Sequence, residues 1–172
     1  MTLLAKLHLL TDRLAQAFAL LGGVILLFLS VMTVLSVVGR AINAYGFGPI
    51  QGDFELIENG TAFIVFCALP LCQIRFNHVA VDVLARHFPK LISWLIALAS
   101  QIAMAGIAII VLRQLYFGMM DKCQWGETSM ILQFPVWWGY AIALVPAVMW
   151  VMAACMASLV TFSSFGAEEN TL

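Results

Sequence analysis

Charge is scarce in this sequence. Lys, Arg, Asp and Glu make up 10% of its 172 residues, where a water-soluble domain carries about 25%. Too little is left to wet a soluble surface, so the main solvent of the chain is lipid. A net charge of −1 with no basic run gives nucleic acid nothing to bind. Histidine is rare too: His8, His78 and His87 all fall outside the uncharged stretches, which excludes a membrane cytochrome with paired histidines inside its spans. The cysteines Cys67, Cys72, Cys123 and Cys155 form no C-x-x-C pair and none stands at metal-ligand spacing from a histidine. They read as small apolar packing residues, and no residue set suits a metal or a cofactor.

What is abundant is apolar: 63% of the residues are hydrophobic and the mean hydropathy is +1.02. Uncharged runs extend over Leu14–Gly39, Asn59–Ile74, Leu91–Leu112 and Thr128–Ala167. A helix needs about 20 residues to cross hydrocarbon at about 1.5 Å per residue. The second run is short for that. Extending it back to Gly52 or Asp53 restores the length and puts Glu55 and Glu58 in the first turns, where anions suit the positive helix end. Lys6 and Arg13 precede the first run as they would in a signal peptide. Yet the run is about twice the length of a signal-peptide core and no small-x-small cleavage site follows, so a retained span is expected.

The expectation is an all-α integral membrane protein, one membrane domain over residues 1–172, with four transmembrane helices near 14–39, 52–74, 91–113 and 136–162. Lys6, Arg13, Arg75, Arg86 and Lys90 fall on one side; Arg40, Arg113 and Lys122 fall on the other. The richer side faces the cytoplasm by the positive-inside rule, which places both termini there. Trp137, Trp138 and Tyr140 at one helix end, and Trp94 at another, stand at headgroup depths. No internal repeat is visible.

The spans are poor in chemistry. Transport cores announce themselves by ionisable groups at mid-membrane or by helices broken in matching halves. Here the carboxylates of the second span lie at one end, and Gln101 is the main polar intruder, read as an interhelical hydrogen-bonding group. Pro70 and Pro146 read as structural kinks. Small residues line two faces, Ala15–Ala19–Gly23 and Ala99–Ala103–Gly106, suited to closing a four-helix bundle or to docking another membrane protein.

Three polar constellations lie outside the hydrocarbon. Arg40 with Asp53, Glu55 and Glu58 forms the first, and an Arg40–carboxylate ion pair closing the first hairpin is expected. The second is His78-Val79-Ala80-Val81-Asp82, where Asp82 caps a short interfacial helix over residues 83–87 before Pro89. The third is Gln124, Thr128, Ser129 and then Phe134-Pro135-Val136-Trp137-Trp138, read as a helix entry anchored at the interface and able to touch a soluble partner.

In order and spacing these segments resemble the small membrane subunit (DctQ type) of tripartite ATP-independent periplasmic, or TRAP, transporters. The resemblance covers residues 10–160. It runs through Val38-Gly39-Arg40, Gly48-Pro49-Ile50, Gly52-Asp53-Phe54-Glu55-Leu56-Ile57-Glu58, Gln73, the His78–Asp82 motif and Phe134–Trp138. The chain departs from it around Cys123–Gln133, and where Arg75-Phe76-Asn77 replaces an Arg-Arg-Gly run. The resemblance implies a non-enzymatic scaffold in the bacterial inner membrane. Its partners are a large TRAP membrane subunit holding substrate and sodium sites, a periplasmic substrate-binding protein delivering an organic acid, and membrane lipid. Arg40, Asp53, Glu55, Glu58, His78, Asp82, Gln101, Trp137 and Trp138 are the candidate structural or subunit-contact residues.

Two other classes compete. A stand-alone small exporter needs a membrane-embedded carboxylate, for which Glu58 is the best candidate. A four-span thiol oxidase needs reactive cysteine pairs near the periplasmic face, where only Cys123 is suitably placed. Replacing all four cysteines with Ser is expected to leave function unchanged, measured as solute uptake by the assembled system; loss of uptake with the protein still inserted would support the thiol reading.

Overall fold

The computed structural model describes residues 3–42, 48, 50–75 and 90–169. The expected helix over 83–87, with His78 and Asp82, lies outside the described residues. Four helices account for nearly all of the rest: α1 (Leu3–Ala41), α2 (Asp53–Ile74), α3 (Lys90–Trp125) and α4 (Trp137–Glu169). All four are long and apolar enough to cross a membrane. Helices are the form lipid demands, because each satisfies its backbone polar groups internally.

The helices outrun the uncharged runs. α1 has 39 residues, α3 36 and α4 33, against 22 for α2. Only α2 is close to one hydrocarbon thickness, at about 33 Å. Arg113, which ends the apolar run of α3, lies well inside its helix.

Contacts fix the register. α1 runs antiparallel to α2, with Ser36 at Asp53, Leu29 at Gly60, Gly22 at Cys67 and Asp12 at Arg75. α2 and α4 run parallel: Asn59 meets Gly139, and Ile74 packs with Ala15, Met149 and Ala153. α3 runs antiparallel to α4, with Gly118 at Tyr140, Ala108 at Trp150 and Ala154, and Trp94 at Thr161. α1 leans lightly on α4 and does not meet α3, and the backbones of α2 and α3 stay apart. The four therefore form a flattened diamond, with α2 and α4 on the short diagonal and α1 and α3 at the far corners.

This register staggers the apolar runs. Residue pairs across α1 and α2 put Leu14–Gly39 toward the hairpin end, whereas the match of Gln73 to Gln101 puts Leu91–Leu112 toward the opposite end. A slab that covers both runs crosses the helices obliquely, which is how helices longer than the bilayer is thick are accommodated.

Small side chains set the close approaches, but not those the sequence spacing suggests. Ala15 is buried in the core, while Gly23 and Gly106 face open space and Ala99 and Ala103 are exposed. The contact is made instead by Gly22, where a Cβ would come within 2.9 Å of the Cys67 Cβ, and by Gly118 and Gly139 against Tyr140 and Asn59. The stripe drifts because the helix period is 3.6 residues, so an i, i+4, i+8 row rotates off a fixed interface. Cys67 is the packing cysteine; Cys72, Cys123 and Cys155 are exposed on the bundle surface and do not fill the core. Pro70 and Pro146 are both fully buried inside their helices.

Substituting Gly22 separates these roles. Gly22→Val overpacks a site bounded by a Cβ that cannot swing away, and is expected to cost roughly 1–3 kcal/mol, read as a lowered melting temperature in detergent. Gly23→Val meets nothing and is expected to stay within about 0.5 kcal/mol of the parent.

Candidate functional site

The polar groups of the chain gather where α2 begins. Gly52 has φ 81°, a left-handed conformation that favours glycine, and it turns the chain directly into Asp53 at the head of α2. There the buried Asp53 carboxylate accepts a hydrogen bond from Ser36 Oγ at 2.5 Å and one from the backbone N–H of Phe54 at 2.9 Å. Ser36 Oγ in turn accepts from Ile50 N–H at 3.3 Å. Arg40 approaches Asp53 at 3.9 Å and lies over the Phe54 ring at 5.8 Å. That separation is too long for a hydrogen bond. The ion pair thus contributes a field, and the close partner of Asp53 is Ser36. A serine within an apolar run carries no signal by itself; the clue was its place four residues before Arg40, on the same helix face.

Glu55 does something different from its neighbour. Its two carboxylate oxygens accept the backbone N–H groups of Ile131 and Leu132, at 2.8 and 3.0 Å. These belong to the tip of the segment between α3 and α4. That segment is a small folded-back hairpin: Thr128 bridges Pro135, Ser129 N–H donates to Phe134 O, and Val136 N–H donates to Glu127 O. Gln133 completes the turn at φ 52°. Lys122 pins the base of the hairpin to α3 by a 2.6 Å contact with Glu127. Leu132 fits over Gly52, where any Cβ would collide with its side chain. The hairpin therefore ties α2, α3 and α4 together at one end. The sequence marks this segment as a helix entry able to touch a soluble partner and gives no sign of the tie to Glu55, which spans 76 residues of separation.

Trp137 and Trp138 open α4 just after the hairpin, their rings edge-to-face at 6.1 Å. Gln101 stands apart from this cluster, near the far end of α2, and accepts a 2.6 Å hydrogen bond from the buried Gln73. Asp12 and Arg75 approach at 3.9 Å beyond it. The structure thus brings Arg40, Asp53, Glu55, Glu58, Trp137 and Trp138 to one end of the molecule and leaves Gln101 beside the far end of α2.

Under the hairpin, between α2 and α3 and floored by α4, lies a cleft of about 630 Å³. Glu55, Glu58 and Asn59 line one wall, and Ala62, Leu115 and Ala143 the deeper part. Among the described residues no group of three or more His, Cys, Asp or Glu is placed to hold a metal ion. The arrangement clamps the hairpin onto α2.

Removing the clamp has a local signature. Glu55→Ala is expected to speed amide hydrogen exchange at Ile131 and Leu132 several-fold and to leave exchange within α1 unchanged, read by mass spectrometry of the exchanged peptides. Unchanged exchange at the tip would show that the hairpin holds itself.

No curated protein and no solved structure matches the chain. A family match does exist, to the tripartite ATP-independent periplasmic transporters, DctQ component, over residues 29–163. That stretch takes in the end of α1, the polar cluster, all of α2 and α3, the hairpin and most of α4. With its four apolar helices and its match across most of its length, the chain belongs to the DctQ family, the small membrane component of TRAP transporters.

Proposed function

We propose that this chain is the fixed scaffold of a sodium-coupled TRAP transporter, docking a large membrane subunit that takes up an organic acid delivered by a periplasmic binding protein. In this reading it is a multi-pass protein of the bacterial inner membrane with both termini in the cytoplasm, and residues 1–172 act as one membrane domain. The excess of Lys and Arg on the side of the termini supports that orientation.

The observation that carries the scaffold reading is the outward edge of α1. Leu20, Val24, Leu27, Val31 and Val34 are all strongly exposed, at alternating four- and three-residue spacing. Such a row is the seam by which one helix packs against another, and within this chain α1 packs through its opposite side. A seam on the face of α1 that this chain's other helices leave uncovered, on a flat layer braced by polar groups, fits a part that holds another part. Glu58 stands at a helix end, level with Gly139 at the start of α4, so it is not the mid-membrane carboxylate that a stand-alone exporter requires.

The test is reconstitution. Co-expressed with a large TRAP membrane subunit encoded beside it, the chain is expected to copurify, and sodium-dependent uptake into liposomes is expected only with both membrane chains and the binding protein. Replacing Leu27 and Val31 with bulky Trp should weaken copurification and leave insertion intact. Transport by the purified chain alone would overturn the scaffold reading in favour of an exporter.

A further inference from the structure

The cleft beneath the hairpin is not consumed by the scaffold role. Its walls are α2 and α3, whose backbones stay apart here, and its floor is α4. The two walls join at the Gln73–Gln101 hydrogen bond, deeper along the helices. The groove is thus a wedge: wide near the start of α2, where the hairpin roofs it, and closing toward the Gln73–Gln101 bond.

Its depth follows from the register. Asn59 begins the uncharged run of α2 and Arg113 ends that of α3; the deeper part of the cleft, with Ala62 and Leu115 in its lining, lies between these levels, and Glu55, Glu58 and the hairpin lie outside them. Charged groups mark the mouth and apolar ones the interior, so the cleft straddles the boundary between headgroups and hydrocarbon.

The charges at the mouth are of one sign. Glu55 and Glu58 line it, and no Lys, Arg or His does. Glu55 already accepts two backbone N–H groups. Glu58 is exposed and has no ion-pair or hydrogen-bond partner among the described residues. The complement of an unpaired carboxylate at that depth is a cation that donates hydrogen bonds. Two carboxylates repel an anionic headgroup. The hairpin tip lies across the groove and is tied to Glu55, which obstructs a straight helix about 10 Å across, whereas a flexible acyl chain bends to fit.

We infer that this cleft binds one phospholipid bearing a primary ammonium headgroup, its ammonium on Glu58 and an acyl chain in the groove over Ala62, Leu115 and Ala143. The proposal goes beyond the scaffold role and concerns the chain by itself. An ammonium donates hydrogen bonds to a carboxylate, whereas a quaternary choline carries the same charge without a donor. The site is therefore selective among zwitterionic lipids as well as against anionic ones.

The test is native mass spectrometry of the purified full chain, exchanged in turn into phosphatidylethanolamine, phosphatidylcholine and phosphatidylglycerol. One phosphatidylethanolamine is expected to be retained, roughly ten-fold better than either alternative, a preference of about 1.4 kcal/mol. Glu58→Gln should erase the preference and leave the melting temperature unchanged, and Glu58→Asp should keep part of it. Ala62→Phe, which fills the groove, should lower retention of all three lipids. An undiminished preference in Glu58→Gln overturns the proposal, as does retention of many lipids without headgroup selection. A photoreactive residue at position 62 is expected to capture lipid; capture of the large subunit without lipid assigns the cleft to a partner helix and overturns the proposal too.

Discussion

A polar side chain carried into hydrocarbon has to be answered from within the protein, because lipid supplies no hydrogen bonds. In this chain α2 is where that constraint is met. Its first residue, Asp53, is held by Ser36 of α1, and its next-to-last, Gln73, is held to Gln101 of α3. Between these points Asn59 turns back onto the carbonyl of Glu55. Serines and threonines elsewhere do the same within their own helices: Thr11, Ser30, Thr33, Ser158 and Thr161 each donate to a carbonyl four residues earlier, which hides a hydroxyl without calling on a neighbour. Trp150 is an exception, its indole N–H buried without an acceptor. Among the described residues α2 reaches both α1 and α3 through polar side chains, which fits its central place in the diamond.

Packing then decides the shape. Lipid is as apolar as leucine, so the helices gain little from burying large side chains and adhere where backbones can come close. Gly22, Gly118 and Gly139 supply those approaches, and Ala15, Ala108, Ala153 and Ala154 fill the remaining contact surfaces. Large residues are pushed outward, Leu20 and Phe28 on α1 among them. The product is a thin layer with broad apolar surfaces and an oblique apolar band. A membrane scaffold needs that form, since its work is to present surface and hold position. The hairpin braces the end where α2, α3 and α4 would otherwise splay.

Much of this was legible in the residues. Uncharged runs identified four helices, and the acidic start of α2 correctly extended a run that was too short by itself. Gln101 was recognisable as an interhelical group because an amide in an apolar helix has few alternatives. Other features were not legible. Sequence spacing nominated Gly23 and Gly106, yet the register turned both toward open space and brought Gly22 into contact. Arg40 was matched to Asp53 by charge, while the closer partner was an uncharged serine. The hairpin gave no periodic signal, and its tie to Glu55 joins residues far apart in the chain.

The scarcity of charge and the length of the uncharged runs by themselves determined that this protein lives in lipid, that it has four helices able to cross a membrane, and that ionisable groups border their apolar runs. These are one-dimensional properties: hydropathy and length need no knowledge of neighbours. Only the tertiary structure decided which helix lies beside which, which glycine touches, that Glu55 is spent on a hairpin while Glu58 has no partner among the described residues, and that a cleft opens between α2 and α3. Those depend on helix rotation and register, where a shift of one residue turns a side chain by about 100° and exchanges a contact for open space.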